Sequence, residues 1–404
     1  MDFEDTPDEA AWRERVCTFI ADNRAVLGRQ GEADRRHNIE AAKASEACLY
    51  DGGFVGVTWP KEAGGQGGTP MQQAIVSQEL RRARVPMLIN LIGIGMCGPT
   101  IVHHGSQDQK DRYLTRLLRA DDIWCQLFSE PASGSDLAAL RTKAVRQPDG
   151  NWLVNGQKVW TTVAHISDFG ILLTRTNPDV AKHRGLTMFV VDMSAPGVTV
   201  RPLRQMSGDA DFNEVFFDDV LIPDSERLGE VDDGWRVALT TLMNERMSLG
   251  GGGTEIGAGI DAALTHVAAA LGKLSPERQA ISRQEFGKAY AATLGIRYTG
   301  YRLQSAISKG QLPGPEASAG KLAGTIAARA TADLAVRLLG DEAVYAETAD
   351  GTSTWQDSQA GLPGMAIAGG TDEILRNVIG ERVLGLPAEP RADKGVAFSA
   401  GVQA

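Results

Sequence analysis

From Glu9 to Ala120 apolar residues recur at helical spacing, with Trp12, Val16, Phe19, Ile20, Val26 and Leu27 on one stripe and Ile75 and Leu80 on another. This predicts a helical N-terminal domain over residues 1–122. It is interrupted by GFVGVTWPKEAGGQGG, Gly53 to Gly68, too rich in glycine for a helix and read as a long ordered loop. From Ile123 to Leu228 the period changes to two, in NWLVNGQKVWTT, DFGILLTRT, GLTMFVVDM and GVTVRPL, with turn residues between the runs. A β-domain over 123–233 follows. The helical period then returns over 234–388, including an alanine-rich helix opened by Pro315 and Glu316 and closed by Gly340. The polar, glycine-containing tail, 389–404, is expected to fray.

Composition narrows the partners. The 404 residues are 43% hydrophobic and 23% charged, with a formal net charge of -10, so general affinity for nucleic acid or an anionic membrane is not expected. Cys17, Cys48, Cys97 and Cys125 are far apart, which suggests neither a disulfide framework nor a zinc site, and His103–His104 lacks a metal-binding pattern. No metal is expected. The acidic N-terminus does not read as a signal peptide and no apolar run is long enough to span a membrane, so the expected location is the cytoplasm.

Four stretches carry candidate chemistry. In CQLFSEPASGSDLAALRTKA, Ser129, Ser133, Gly134 and Ser135 offer hydroxyls and backbone amides to a polar ligand, or form an ordinary solvent-facing turn. In KVWTTVAHISDFG, Trp160 beside Thr161 and Thr162 either walls a flat cofactor or belongs to the core. In GMAIAGGTDEILRNVIGERVLGLP, paired glycines precede a helix whose first turn holds Thr371, Asp372 and Glu373, as at an ordinary helix start or a close backbone approach to a ligand. In TLMNERMSLGGGG, Glu245 and Arg246 interrupt an apolar stripe of Leu242, Met243, Met247 and Leu249. By itself this last pair reads as a solvated helix edge.

Together, LFSEPASGSD, NGQKVWTT, FNEVFFDDVLIP and GGTDEILRNVIGERVLGLP, in this order, closely resemble the acyl-CoA dehydrogenase family over nearly the whole chain. The resemblance implies an α+β multidomain fold: an N-terminal helical domain, a middle antiparallel β-barrel-like domain and a C-terminal four-helix bundle, usually in a tetramer. It implies FAD as cofactor, acyl-CoA as substrate and electron-transfer flavoprotein as electron acceptor. By position, the Phe128 backbone and Ser129 hydroxyl would contact the isoalloxazine ring, Trp160 would lie against it and Thr162 would hydrogen-bond near N5. Ser135 would touch the CoA portion of the substrate, and Thr371 and Glu373 would help hold the cofactor.

Many members carry the catalytic glutamate where this chain has Gly369. The isovaleryl-CoA and long-chain branch instead places it in L-x-x-E-R, matched here by Leu242-Met243-Asn244-Glu245-Arg246. The resemblance therefore makes Glu245 the base for the α-proton while the β-hydride goes to N5. It places a backbone N–H of the Gly369 region and an FAD ribityl hydroxyl at the thioester oxygen. Met243 and Met247 are expected to give the carboxylate apolar surroundings, with Arg246 nearby on the substrate side. Arg283–Gly287 is similar to the family's R-x-x-F-G segment, whereas Arg337-Leu338-Leu339-Gly340-Asp341 has lost the Gln and one Gly of Q-x-x-G-G. That departure leaves open a homotetramer, a heterotetramer in which this chain supplies Glu245 beside a homologous partner, an oxidase, and a catalytically silent CoA- or flavin-binding subunit.

Overall fold

The computed structural model describes residues 5–29, 38–250, 270–308, 314–315, 317–340, 355–390 and 395–401, without the side chains of 246–250, 304, 307, 308 and 317. The chain forms two discontinuous compact units, Met1–Asn38 with Thr69–Pro86 and Arg246–Ala388, and Ile39–Gly68 with Met87–Glu245 and Glu389–Ala404. Both units draw on residues of the N-terminal helical segment, 1–122.

In the first unit, α1 (Pro7–Asp22) and α4 (Pro70–Arg82) each begin with a capping box, from Thr6 with Glu9 and from Thr69 with Gln72, and each has a proline in its first turn. They are tied by the Trp12 indole N–H on the Gln72 carbonyl, 3.1 Å, and by Arg13 on Glu79, 2.7 Å. The short α2 (Arg24–Leu27) follows α1. Further on lie the long α8 (Pro276–Ser308), α9 (Ala317–Leu339), α10 (Trp355–Met365) and α11 (Asp372–Val378). The alanines of α9 do what their size allows: Ala332 and Ala335 are buried against Ala289, Trp355 and Leu362. Gly340 ends α9 at φ +55°, in the left-handed region that favours glycine.

The second unit holds α3 (Ile39–Asp51), α5 (Gly98–His104), α6 (Gln107–Leu118) and the sheet, and α7 (Gly234–Gly250) enters it through residues up to Glu245. The Gly53–Gly68 loop is ordered, folding back through Gly68 N–H to the Val57 carbonyl, 2.7 Å, and Gly67 N–H to the Trp59 carbonyl, 2.8 Å. The strands are β1 (Trp124–Leu127), β2 (Lys143–Arg146), β3 (Trp152–Thr162), β4 (Phe169–Arg175), β5 (Leu186–Asp192), β6 (Val198–Leu203), β7 (Phe212–Ile222) and β8 (Arg227–Leu228). Their order is β6-β7-β3-β2-β4-β5-β8, with β1 beside β4.

Most neighbours are antiparallel, as expected, but β1 runs parallel to β4 with Trp124 opposite Phe169, and β2 touches β4 in parallel at Lys143 and Arg175. The β2–β3 hairpin lies between β1 and β4 in the chain and supplies the length of connection that a parallel pair requires. β4 and β5 are buried on both faces. Ile171, Leu173, Met188 and Val190 face Ile101, Leu114, Leu117 and Val237 of the helices, while Leu172, Phe189 and Val191 face Trp152, Val154, Val215 and Phe217 of the other strands. That double burial explains their nearly continuous apolar sequences.

The tail expected to fray is docked over its described part. Phe398 N–H donates to the Val180 carbonyl and Ser399 N–H to the Pro178 carbonyl, each at 2.8 Å, and α12 (Phe398–Gly401) sets the Phe398 ring 4.0 Å from the Arg175 guanidinium. The physical cause is an aromatic ring covering an otherwise buried cation.

Candidate active site

Where β1 ends, the chain makes a tight turn in which Glu130 and Ser133 exchange two backbone hydrogen bonds of 3.0 Å. Phe128 is buried in the core and Ser129 is half-buried. Ser133 is buried and Ser135 is exposed. The loop carrying Ser135 is anchored from beneath, with Lys182 on Asp136 at 2.8 Å and the Arg175 guanidinium on the Ala138 carbonyl at 2.5 Å.

At the far end of β3 the register with β7 slips between Lys158 and Thr161. This bulge places Trp160 at φ +60° and leaves its indole 61% exposed, whereas Trp124 and Trp152 lie in the core. Val159 N–H, freed from the β7 ladder, donates to the Ser129 carbonyl at 2.9 Å, so the β1 turn and the β3 end are joined directly. Thr162, half-buried, pairs with Phe212, whose ring stands edge-on to Trp160 at 6.1 Å. A flat aromatic ring left open on a strained strand end is a poor core residue and a suitable wall for a flat heterocycle. These residues fit the ring of FAD.

α7 approaches β5 so closely that a Cβ on Gly234 would stand 2.6 Å from the Thr187 Cα. Beyond it, Val237, Ala238 and Thr241 are all fully buried, and Leu242 packs on the same core. Glu245 follows Thr241 by four residues and Ala238 by seven, placing it within ~40° and ~20° of them around the helix axis. It is half-buried and lies on the buried side of α7, contrary to the solvated-edge reading. Met243 does not provide its surroundings: it is 49% exposed and lies ~200° away around the helix. Leu242, partly buried against the core, lies ~60° from Glu245 around the axis. The side chains of Arg246, Met247 and Leu249 are outside the described residues.

In the first unit, Gly369 and Gly370 take φ +67° and +90°, consistent with glycine at both positions. Thr371 caps α11, its hydroxyl accepting the Ile374 N–H at 3.2 Å. Glu373 is exposed and 4.0 Å from Arg376, a weak surface pair. Lys321 is buried beneath this loop, its ammonium 3.1 Å from the Gly370 carbonyl and 3.6 Å from Asp372. Arg283 on α8 is exposed, and Asp341 is outside the described residues.

Sequence reasoning overlooked two lysines, Lys158 and Lys321. Their only signal was membership of a recognised segment for Lys158, since the acids they meet are distant in the chain. Among the described residues no group of three metal-ligating side chains occurs and no helix is long and apolar enough to cross a membrane; all four cysteines are free.

Family models for the acyl-CoA dehydrogenase N-terminal, middle and C-terminal domains match residues 6–121, 125–220 and 232–384. The acyl-CoA dehydrogenase IpdE1 of Mycobacterium tuberculosis is 33% identical over 397 residues, covering 95% of this chain and 99% of that protein. The chain belongs to the acyl-CoA dehydrogenase family. As a member it is an FAD-dependent oxidoreductase of acyl-CoA thioesters. Acyl-CoA dehydrogenase FadE34 of the same organism is 40% identical over 348 residues, 85% of this chain, but the match spans only 46% of FadE34. Among solved structures, the ChsE4-ChsE5 complex from Mycobacterium tuberculosis matches with a TM-score of 0.80 at 29% identity, over 96% of this chain and 100% of the matched one. The Tcur3481-Tcur3483 steroid acyl-CoA dehydrogenase matches with a TM-score of 0.78 at 26% identity, over 96% and 100%.

Proposed function

We propose that this acyl-CoA dehydrogenase forms the 2,3-enoyl-CoA of a bulky, ring-bearing acyl thioester, with Glu245 as the base that takes the α-proton. The observation carrying this reading is the placement of Glu245 on the buried side of α7, one turn beyond the fully buried Thr241. A carboxylate there is directed inward by the helix phase, as a base that meets a bound substrate must be. Bound FAD supplies the acceptor for the β-hydride. Phe128, Ser129, Trp160 and Thr162 hold and wall the flavin ring, and Thr371 and Glu373 contribute to cofactor binding. Ser135 meets the CoA portion, Arg246 lies on the substrate side, and the Gly369 backbone offers an N–H to the thioester oxygen. Electrons then leave to electron-transfer flavoprotein.

The ring-bearing substrate is supported by similarity to a dehydrogenase described as acting on steroids. A heteromeric assembly with a homologous chain is supported by the two-chain names of both structural relatives and by the missing Gln and Gly at 337–341. The test is FAD content and oligomeric mass of the chain produced alone, followed by anaerobic mixing with ring-bearing and straight-chain acyl-CoA. Little FAD alone, restored by a homologous chain, and bleaching by ring-bearing thioesters are expected. One FAD per protomer in a homotetramer would reject the heteromer, and bleaching only by straight chains would reject the substrate class.

A further inference from the structure

Lys158 is wholly buried, and the roles given above to the end of β3 do not use it. Its ammonium nitrogen lies 2.9 Å from the Phe128 carbonyl oxygen and 2.9 Å from Glu130 Oε1. Glu130 is fixed in turn by backbone donors, Arg141 N–H at 2.6 Å and Thr142 N–H at 2.9 Å. Burial opposes ionisation of Glu130, but Lys158 and these donors more than offset it and hold the carboxyl below its usual range. Burial also pushes the Lys158 ammonium down to about 8, and the guanidinium of Arg175 acts in the same direction while Glu130 opposes both.

A buried ion pair is a weak choice for stability alone, because well-packed apolar groups can do as well. What it supplies here is direction. In a trans peptide the carbonyl and the next N–H point opposite ways, so drawing the Phe128 carbonyl onto Lys158 turns the Ser129 N–H away from the buried ammonium. The adjoining Ser129 carbonyl takes the Val159 N–H at 2.9 Å. Two successive carbonyls are thereby held by consecutive residues of β3, immediately before the bulged Trp160. The positive charge also polarises the Phe128–Ser129 amide and strengthens its N–H as a donor.

The first unit repeats the arrangement independently. Lys321, 1% exposed, takes the Gly370 carbonyl and pairs with Asp372, just as Lys158 takes the Phe128 carbonyl and pairs with Glu130. In both, the acid stands two residues after the carbonyl.

We propose that Lys158 is a positioning residue which, through Glu130, forms the Phe128–Ser129 and Trp160 rim before FAD arrives and aims it at the flavin ring. The inference rests on the reading that these residues face the ring, so its test separates the two. With each protein assembled with the homologous partner chain, hydrogen exchange is measured on FAD-free and FAD-bound wild type, and FAD affinity and thermal stability on Lys158→Met and Lys158→Met/Glu130→Gln. Ser129→Ala and Trp160→Phe serve as tests of the site itself. In FAD-free wild type the Glu130 and Val159 amides should already exchange slowly. A folded Lys158 variant should bind FAD at least about tenfold more weakly and lose protection at Val159 while β4 and β5 retain theirs. Rim amides protected only after FAD binds, or a folded variant with wild-type FAD affinity, would overturn the proposal. If neither variant folds, exchange in the wild type decides alone. Unchanged FAD affinity in both Ser129→Ala and Trp160→Phe would reject the site reading; weakened binding there, with Lys158 variants like wild type, would reject only the role of Lys158.

Discussion

The side-chain hydroxyls of Thr100 and Thr241 meet at 2.8 Å in a fully buried contact between α5 and α7. Since Thr100 also donates to the Met96 carbonyl at 2.8 Å, the pair ties the phase of α7 to the backbone of the preceding segment. That phase directs Glu245. Thr241→Val preserves shape and removes the tie, so stability should fall by about 1 kcal/mol and turnover several-fold, with FAD content unchanged. Thr100→Val/Thr241→Val should cost less than the two single changes added together. Denaturant midpoints and turnover for the four proteins provide the check; strict additivity and unchanged turnover would show that the hydroxyls do not set the helix.

Glu46 makes a pH prediction. It is buried on α3, with one carboxylate oxygen accepting the Asn90 N–H at 3.1 Å, and burial raises its pKa from 4.5 to about 8. In the folded protein it therefore holds a proton over a range where the unfolded chain has lost it. Its stabilising contribution is complete below 4.5 and disappears as pH rises through 8, on the order of 5 kcal/mol in all. Glu46→Gln should remove this slope and gain on the wild type as pH rises. Urea unfolding at pH 5, 7 and 9 tests it; parallel curves for the two proteins would oppose the assignment.

Phe398 makes another. Its ring lies 4.0 Å from the guanidinium of Arg175, which also holds the Ala138 and Lys182 carbonyls. Phe398→Ala should lower stability by about 1 kcal/mol and hasten proteolytic cleavage within 177–185. Limited proteolysis with mapped cut sites is the measurement, and an unchanged cleavage rate would mean that the tail does not brace this loop.

The strands were legible because β3 and β7 alternate apolar and polar residues, while β4 and β5, buried on both faces, are short apolar runs bounded by turn residues. The helix starts at Thr6, Thr69 and Ser106 carried a signal, a glutamate or glutamine three residues on, that the apolar pattern by itself does not include. The parallel β1–β4 pairing was not legible, since alternation is blind to strand direction. The buried face of α7 was misread because Thr241 counts as polar in a pattern, yet its hydroxyl is satisfied inside by Thr100. Met243, apolar in the pattern, points outward. Lys158 and Glu130 both lie within recognised segments, but only the fold brings them together. Phe398 belongs to a composition that reads as a frayed end, and its docking depends on a cation buried far away in the chain.

Glu245 as the base for the α-proton is tested most directly by anaerobic flavin bleaching with a ring-bearing acyl-CoA in wild type and Glu245→Gln, each assembled with the homologous partner chain, with FAD content determined on the same samples. Both proteins should carry FAD equally, the wild type should bleach, and the variant should do so about a thousandfold more slowly. Bleaching at the wild-type rate in the FAD-loaded variant would contradict the assignment.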